Sequence, residues 1–213
     1  MNLIIMILDI IGTVAFAVSG AMTAMHRKMD IFGVAVLGLT TAVGGGCIRD
    51  LLLGIHPPAM LKDPEYTLLA IAASVITFII GNRSDIMEQS STIDRIMLVS
   101  DSMGLASFTV YGVSVAYGQG EKGLFLVVFV AVITGVGGGV LRDLFAGNTP
   151  FIFVKHVYAV ASIIGALVCA ILWDILSPSA SMVIGMLLIF SIRMLAAHYH
   201  WNLPTAGGHT GEK

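Results

Sequence analysis

Seven apolar runs constrain this chain more than any other feature of its sequence. They lie near residues 3–25, 31–53, 66–81, 96–117, 123–145, 157–173 and 181–197. A transmembrane helix needs about 20 mostly apolar residues, and each run has or approaches that length. Only 11% of the residues are charged, whereas a soluble domain carries roughly 25%. The sequence therefore predicts an all-α membrane protein with seven transmembrane helices in one domain, residues 1–213.

The charge balance and the motifs argue against several functional classes. The formal net charge is −2, which provides no basic face of the kind that binds nucleic acid. Cys47 and Cys169 each stand in an apolar run, so they predict buried side chains and not a disulfide framework. The sequence contains no nucleophile elbow, HExxH motif or phosphate loop. We therefore expect a protein that is not an enzyme and that has no cofactor and no nucleic-acid partner.

An internal repeat divides the chain. Residues 41–54 match residues 134–147 at an offset of 93 (41 to 134), and both copies contain the motif Gly-Gly-Gly-x-x-Arg-Asp. A second match, at an offset of 92 (9 to 101), aligns four residues of the first run with four of the fourth. The pairs are Asp9 with Asp101, Gly12 with Gly104, Phe16 with Phe108, and Gly20 with Gly112. Two matches in the same order indicate a duplication.

The predicted repeats cover residues 3–81 and 95–174, and a seventh helix near 180–198 has no counterpart. Each repeat holds three spans, so the second copy is predicted to be inverted across the membrane. In many membrane proteins with inverted repeats, the permeation site lies between the two copies. The repeat therefore favours a transport pathway over its alternative, a purely architectural role.

Three consecutive glycines stand in the second and fifth predicted helices. They are Gly44, Gly45, Gly46, Gly137, Gly138 and Gly139. Glycine inside a helix costs about 1 kcal/mol relative to alanine, so we expect both helices to be broken or kinked there. The alternative is close packing of two helices through small residues.

Such breaks would free backbone carbonyls, which suit a monovalent cation such as potassium or sodium. The predicted cation site consists of the carbonyls of Gly44, Gly45, Gly137 and Gly138. Nearby hydroxyl groups would add neutral oxygens to the pore. These belong to Thr41, Thr134 and Ser19.

An arginine and an aspartate follow each glycine run, as Arg49-Asp50 and Arg142-Asp143. Successive residues of a helix point about 100° apart, so we expect each arginine to pair with an acid from another span. The candidate acids are Asp9 and Asp101. Because a charge in a span costs at least about 2.5 kcal/mol, two interpretations stay open: structural ion pairs at the helix ends, or a charged pathway.

The basic residues outside the spans predict the orientation. The C-terminal side collects Arg27, Lys28, Arg83, Arg95, Lys155 and Lys213, whereas the N-terminal side collects Lys62 and Lys122. Basic loops stay in the cytoplasm. We therefore expect a multi-pass protein of the bacterial inner membrane with its N-terminus outside and its C-terminus in the cytoplasm.

Several motifs together resemble the prokaryotic trimeric intracellular cation (TRIC) channel family. They are Ala15-Phe-Ala-Val-Ser-Gly20, Asp30-Ile-Phe-Gly33, Gly44-Gly-Gly-Cys-Ile-Arg-Asp50, Gly54 and Pro57-Pro58, with the second glycine motif. The resemblance implies a homotrimer in membrane lipid, with one pore in each protomer around the kinked second and fifth helices. It also implies conduction of monovalent cations, mainly potassium.

The same family includes members proposed to take up glycine, so a small amino-acid transporter is the alternative function. An inverted repeat suits alternating access as well as a pore. The N-termini of half-helices after the breaks, with Arg49 or Arg142, would hold the substrate carboxylate. A membrane scaffold that conducts nothing is a third possibility.

Overall fold

The computed structural model describes residues 3–83, 90–154 and 157–201, and these residues form helices and no strands. In chain order the helices are α1 Leu3–His26, α2 Ile31–Leu52, α3 Ala59–Lys62, α4 Pro64–Arg83, α5 Ser90–Gly118, α6 Leu124–Phe145, α7 Phe151–Val154, α8 Tyr158–Leu172 and α9 Pro178–His198. The all-α prediction is confirmed. Lys155 and Lys213, used to predict the orientation, lie outside the described residues.

Six of the described helices are long and apolar enough to cross a membrane: α1, α2, α4, α5, α6 and α9. The sixth predicted span is α8, which has only 15 residues. At 1.5 Å per residue it is roughly 22 Å long, shorter than the hydrocarbon core of a bilayer. The third span, by contrast, is longer than its apolar run, because Pro64 begins α4 ahead of it and the helix continues to Arg83.

Local sequence signals set the ends of several helices. The Asp30 side chain accepts a hydrogen bond from the Gly33 amide, 2.8 Å away, and caps the start of α2. Gly54 and Gly147, one after each Arg-Asp motif, both have φ of +68°, a conformation that other residues avoid. The chain therefore turns in the same way after α2 and after α6.

Helices α1 and α5 pack against each other through residues related by the repeat. The rings of Phe16 and Phe108 lie 5.4 Å apart between centroids. Phe108 packs over Gly12, and Phe16 packs over Gly104. The two contacts exchange when the repeats are exchanged, so this part of the core has pseudo-two-fold symmetry.

The predicted breaks at the glycine runs are wrong, because α2 and α6 are each one continuous α-helix through their three glycines. A kink within either helix stays a prediction. The glycines instead let the two helices cross closely. A β-carbon at Gly45 would overlap the backbone carbonyl oxygen of Thr134, and one at Gly138 would overlap that of Thr41. The alternative interpretation, close packing through small residues, accounts for both runs.

The continuous helices also remove the basis for a cation site on the glycine carbonyls. In an α-helix each interior carbonyl accepts a hydrogen bond from the amide four residues ahead. The carbonyls of Gly44, Gly45, Gly137 and Gly138 stand inside such helices. The candidate site must therefore be built from side chains.

The first half of the protein contains α1, α2 and α4, and the second half contains α5, α6 and α8. The two halves are covered unequally by other helices. Helix α4 packs on α1 and α2, and α8 packs on α5 and α6. Helix α9 packs on α5 and α8, so it adds a layer to the second half that has no counterpart in the first. The first half is therefore more open.

Candidate functional site

A cavity of about 120 Å³ lies in the first half, between α1, α2, α4 and α5 and beside the short helix α3. Its polar lining comes from Asp9, Thr13, Cys47, Arg49, Asp50, Asp63, Tyr66 and Tyr111. By formal charge this lining holds three carboxylates and one guanidinium. Gly46 is the member of the glycine runs that lines it.

The Arg-Asp motif forms one wall of this cavity. Arg49 Nη2 lies 2.7 Å from Asp50 Oδ1, and Arg49 Nε donates to the same oxygen at 2.8 Å. The other oxygen of Asp50 accepts a hydrogen bond from the Ala59 amide at 2.8 Å. Asp50 therefore holds Arg49 and also caps the first turn of α3.

Asp9 lies on the opposite wall. It is half-buried and lines the cavity together with Tyr66 and Tyr111. Within the described residues no cation lies within 4.0 Å of this carboxylate. The predicted pairing of Arg49 with Asp9 is therefore wrong. The long arginine side chain folds back onto its chain neighbour Asp50, which the angular separation of adjacent residues did not lead us to expect.

In the second half the Arg-Asp motif, Arg142-Asp143, is buried within a network of ion pairs and hydrogen bonds. Arg142 Nη1 lies 2.6 Å from Asp101 Oδ1, so here the arginine does pair with the acid of another span. Arg142 also binds Asp143 at 2.8 Å and donates to the Ser19 hydroxyl at 2.6 Å. The Asp101 side chain is 1% exposed and that of Arg142 is fully buried.

Four further contacts surround this network. The Tyr158 hydroxyl donates to Asp101 at 3.3 Å, and Arg193 of α9 lies 3.9 Å from the other oxygen of Asp101. The Phe151 ring covers Arg142, with 4.7 Å between Cζ and the ring centroid. The Phe151 amide donates to Asp143 at 2.9 Å, which repeats the contact between Ala59 and Asp50.

The three hydroxyl groups predicted to line a pore are engaged elsewhere. Thr41 donates to the carbonyl of Leu37 at 2.6 Å, and Thr134 donates to that of Val130 at 2.7 Å. Both are fully buried, and Ser19 is bound by Arg142. None of the three lines the cavity.

The sequence did not point to four side chains of the cavity and the network, Tyr66, Tyr111, Tyr158 and Arg193. Tyr66 and Tyr158 are related by the offset of 92, so the repeat itself contained that signal. Arg193 lies in the seventh predicted span, residues 181–197, and no pattern along the chain links it to Asp101. Among the described residues no group of three or more histidine, cysteine or acidic side chains could hold a metal ion.

Comparison with known proteins places the chain. The sequence model of a family described as "Glycine transporter" matches residues 6–82 and 98–174. The UPF0126 inner membrane protein YadS of Escherichia coli (strain K12) is 42% identical over 202 residues, 93% of this chain and 94% of the relative. A solved prokaryotic TRIC channel, in 0.5 M KCl, superposes with a TM-score of 0.87 at 35% identity and covers 95% of this chain and 100% of its own. This chain belongs to the TRIC family.

A second TRIC structure agrees with this assignment. The trimeric intracellular cation channel orthologue from Rhodobacter sphaeroides superposes with a TM-score of 0.85 at 32% identity, covering 92% of this chain and 98% of its own. The family model described as "Glycine transporter" matches the chain twice, at starting positions 92 residues apart (6 to 98). The chain is therefore a multi-pass membrane protein with the all-helical TRIC fold.

Proposed function

We propose that the protein is a channel for monovalent cations, mainly potassium, with one conduction path in each protomer. The observation that carries this proposal is the acidic cavity of the first half, together with the likeness to solved TRIC cation channels. The cavity is the entrance of the path. The sealed network around Arg142 closes the other end in this conformation.

The charges of the lining favour cations over anions. Asp9, Asp50 and Asp63 oppose Arg49 alone, and a ring of carboxylates attracts cations into a pore. Asp50 already binds Arg49, and Asp63 is exposed. Asp9 is therefore the half-buried carboxylate of the lining that has no ion pair within the described residues. Hydroxyl oxygens of Thr13, Tyr66 and Tyr111 would replace part of the hydration shell of potassium.

Glycine transport is the second candidate, favoured by the description of the family model. A carboxylate substrate needs a cationic partner. In the cavity that partner would be Arg49, which is already paired with Asp50. The excess of acids around it would repel a second carboxylate. The geometry therefore favours the channel.

Assembly and orientation complete the proposal. The channel is a homotrimer in the bacterial inner membrane, with its N-terminus outside and its C-terminus in the cytoplasm, as the basic residues predict. Reporter fusions to the C-terminus and within residues 118–122 should report opposite sides of the membrane. The same side for both would contradict this topology.

Flux through purified protein in liposomes separates the two functions. With a potassium gradient and a voltage-sensitive dye, we expect a membrane potential that develops without any amino acid present. Liposomes with labelled glycine outside should take up no more label than protein-free vesicles. A saturable accumulation of glycine without a potassium response would overturn the channel and establish the transporter.

A further inference from the structure

The repeat-related residues Ser19 and Tyr111 stand at the centre of the difference between the halves. They align at the offset of 92 (19 to 111), within Phe16-Ala-Val-Ser-Gly20 and Phe108-Thr-Val-Tyr-Gly112. Each faces the arginine of the other repeat. Ser19 accepts a hydrogen bond from Arg142 at 2.6 Å, and the Tyr111 ring lies 5.0 Å from Cζ of Arg49.

We infer that Tyr111 is a wedge that keeps Asp9 and Arg49 apart, and that the small Ser19 lets Asp101 and Arg142 close. Tyr111 lies beside both groups of the open pair, since its ring stacks on the Arg49 guanidinium and it lines the cavity together with Asp9. Asp9, Arg49 and Tyr111 line the same cavity. At the equivalent place Arg142 contacts Ser19 and Asp101 at once, each at 2.6 Å.

The other differences between the halves do not separate Asp9 from Arg49. Phe151 covers Arg142, and its counterpart at the offset of 93 (58 to 151) is Pro58. Arg193 approaches Asp101 from α9. Both lie against the closed pair of the second half, whereas Tyr111 lines the cavity beside both members of the open pair.

The wedge makes Tyr111 a positioning residue for conduction. It leaves the Asp9 carboxylate available to passing cations instead of neutralised by Arg49. Only this consequence rests on the proposed function, because the wedge itself is a statement about which ion pair forms. Replacing Tyr111 by the residue of the sealed half should let Arg49 close onto Asp9.

Neutralising Asp9 in different backgrounds tests the wedge. Asp9→Asn is combined with native Tyr111, with Tyr111→Phe, which keeps the ring, and with Tyr111→Ser. In the first two backgrounds Asp9→Asn should leave the melting temperature unchanged or raise it. In the Tyr111→Ser background it should lower the melting temperature by at least about 2 °C, because it then breaks an ion pair.

Potassium flux supplies a second readout, in which the effect of Asp9→Asn should also change sign between the backgrounds. Asp9→Asn should reduce flux with native Tyr111 or Tyr111→Phe, and should increase it severalfold in Tyr111→Ser by releasing the closed pair. If Tyr111→Ser does not fold, Tyr111→Thr supplies the small side chain with a hydroxyl group.

The two readouts fail separately. Equal shifts in melting temperature in every background would overturn the wedge, whatever the flux. If the effect of Asp9→Asn on the melting temperature changes sign between the backgrounds, but the native protein passes no potassium, the wedge is upheld and the proposed channel is contradicted.

Discussion

The two halves of this protein carry the same motif and put it to opposite uses. In the first half Arg49 binds its neighbour Asp50 and faces a cavity. In the second, Arg142 binds Asp143 and Asp101 and is fully buried. Features that depend on the backbone are duplicated faithfully. Features that depend on a single side chain have diverged, and the charge environment of the two Arg-Asp motifs has diverged with them.

The backbone features show how faithful the duplication is. Asp50 and Asp143 each accept the first amide of the short helix that follows, from Ala59 and Phe151. Gly45 of α2 lies against the Thr134 carbonyl of α6, and Gly138 of α6 lies against the Thr41 carbonyl of α2. Neither glycine position has room for a larger residue, so both copies keep the glycine.

Removal of the central arginine should distinguish the halves most strongly. Arg142→Gln leaves Asp101 and Asp143 buried without their main cation, which costs about 3–5 kcal/mol. Arg49→Gln leaves one buried carboxylate, Asp50, without its cation, whereas Arg142→Gln leaves two, so Arg49→Gln should cost less, about 1.5–3 kcal/mol. Thermal unfolding in detergent should rank Arg142→Gln well below Arg49→Gln. Equal melting temperatures would mean that the halves are equally sealed.

The crossing of α2 and α6 should respond to added volume at one glycine and not at its neighbour. Gly45→Ala places a methyl group on the Thr134 carbonyl and should destabilise the protein by about 1–3 kcal/mol. The matched control is Gly46→Ala, whose methyl group would have Arg49 Nη2 as its nearest neighbour, at 3.7 Å. We expect the control to melt at or above the native temperature. A control that melts as low as Gly45→Ala would refute the close-packing role.

The half-buried acid of the cavity, Asp9, should matter more for flux than for folding. Two unit charges 4 Å apart in water attract each other by about 1 kcal/mol, so Asp9→Asn should reduce potassium flux about fivefold. Asp63→Asn removes an exposed acid from the same lining and should have a smaller effect. Initial rates in liposomes measure both. If Asp63→Asn has the larger effect, Asp9 does not lie on the path.

The smallest predicted difference is at the starts of α2 and α6. Asp30 caps α2 with its side chain, whereas Gly123, its counterpart, begins α6 without a side-chain cap. Asp30→Ala should cost about 1 kcal/mol, and Gly123→Asp should gain a few tenths of a kcal/mol. Melting temperatures should therefore move in opposite directions. A fall for both would show that Gly123 is required for another reason.

The sequence was sufficient to predict an all-helical chain and the duplication, since both follow from patterns along the chain, but not the short helices α3 and α7. It was not sufficient to predict how the helices pass through the glycine runs. The helix propensity of glycine gives only its cost within a single helix and does not include what that helix packs against. Close approach to Thr134 and Thr41 supplies the compensation, and only the fold brings those residues together. The partner of Arg49 was missed for a similar reason: its side chain is long enough to fold back onto Asp50.

The reversal potential of the native protein in a planar bilayer tests the central claim most directly. With a tenfold gradient of potassium chloride, a cation-selective path through each protomer predicts a reversal potential close to that of potassium, about 59 mV. The current should flow without any amino acid in either chamber. A reversal potential near zero, or one that follows chloride, would contradict an acidic conduction path.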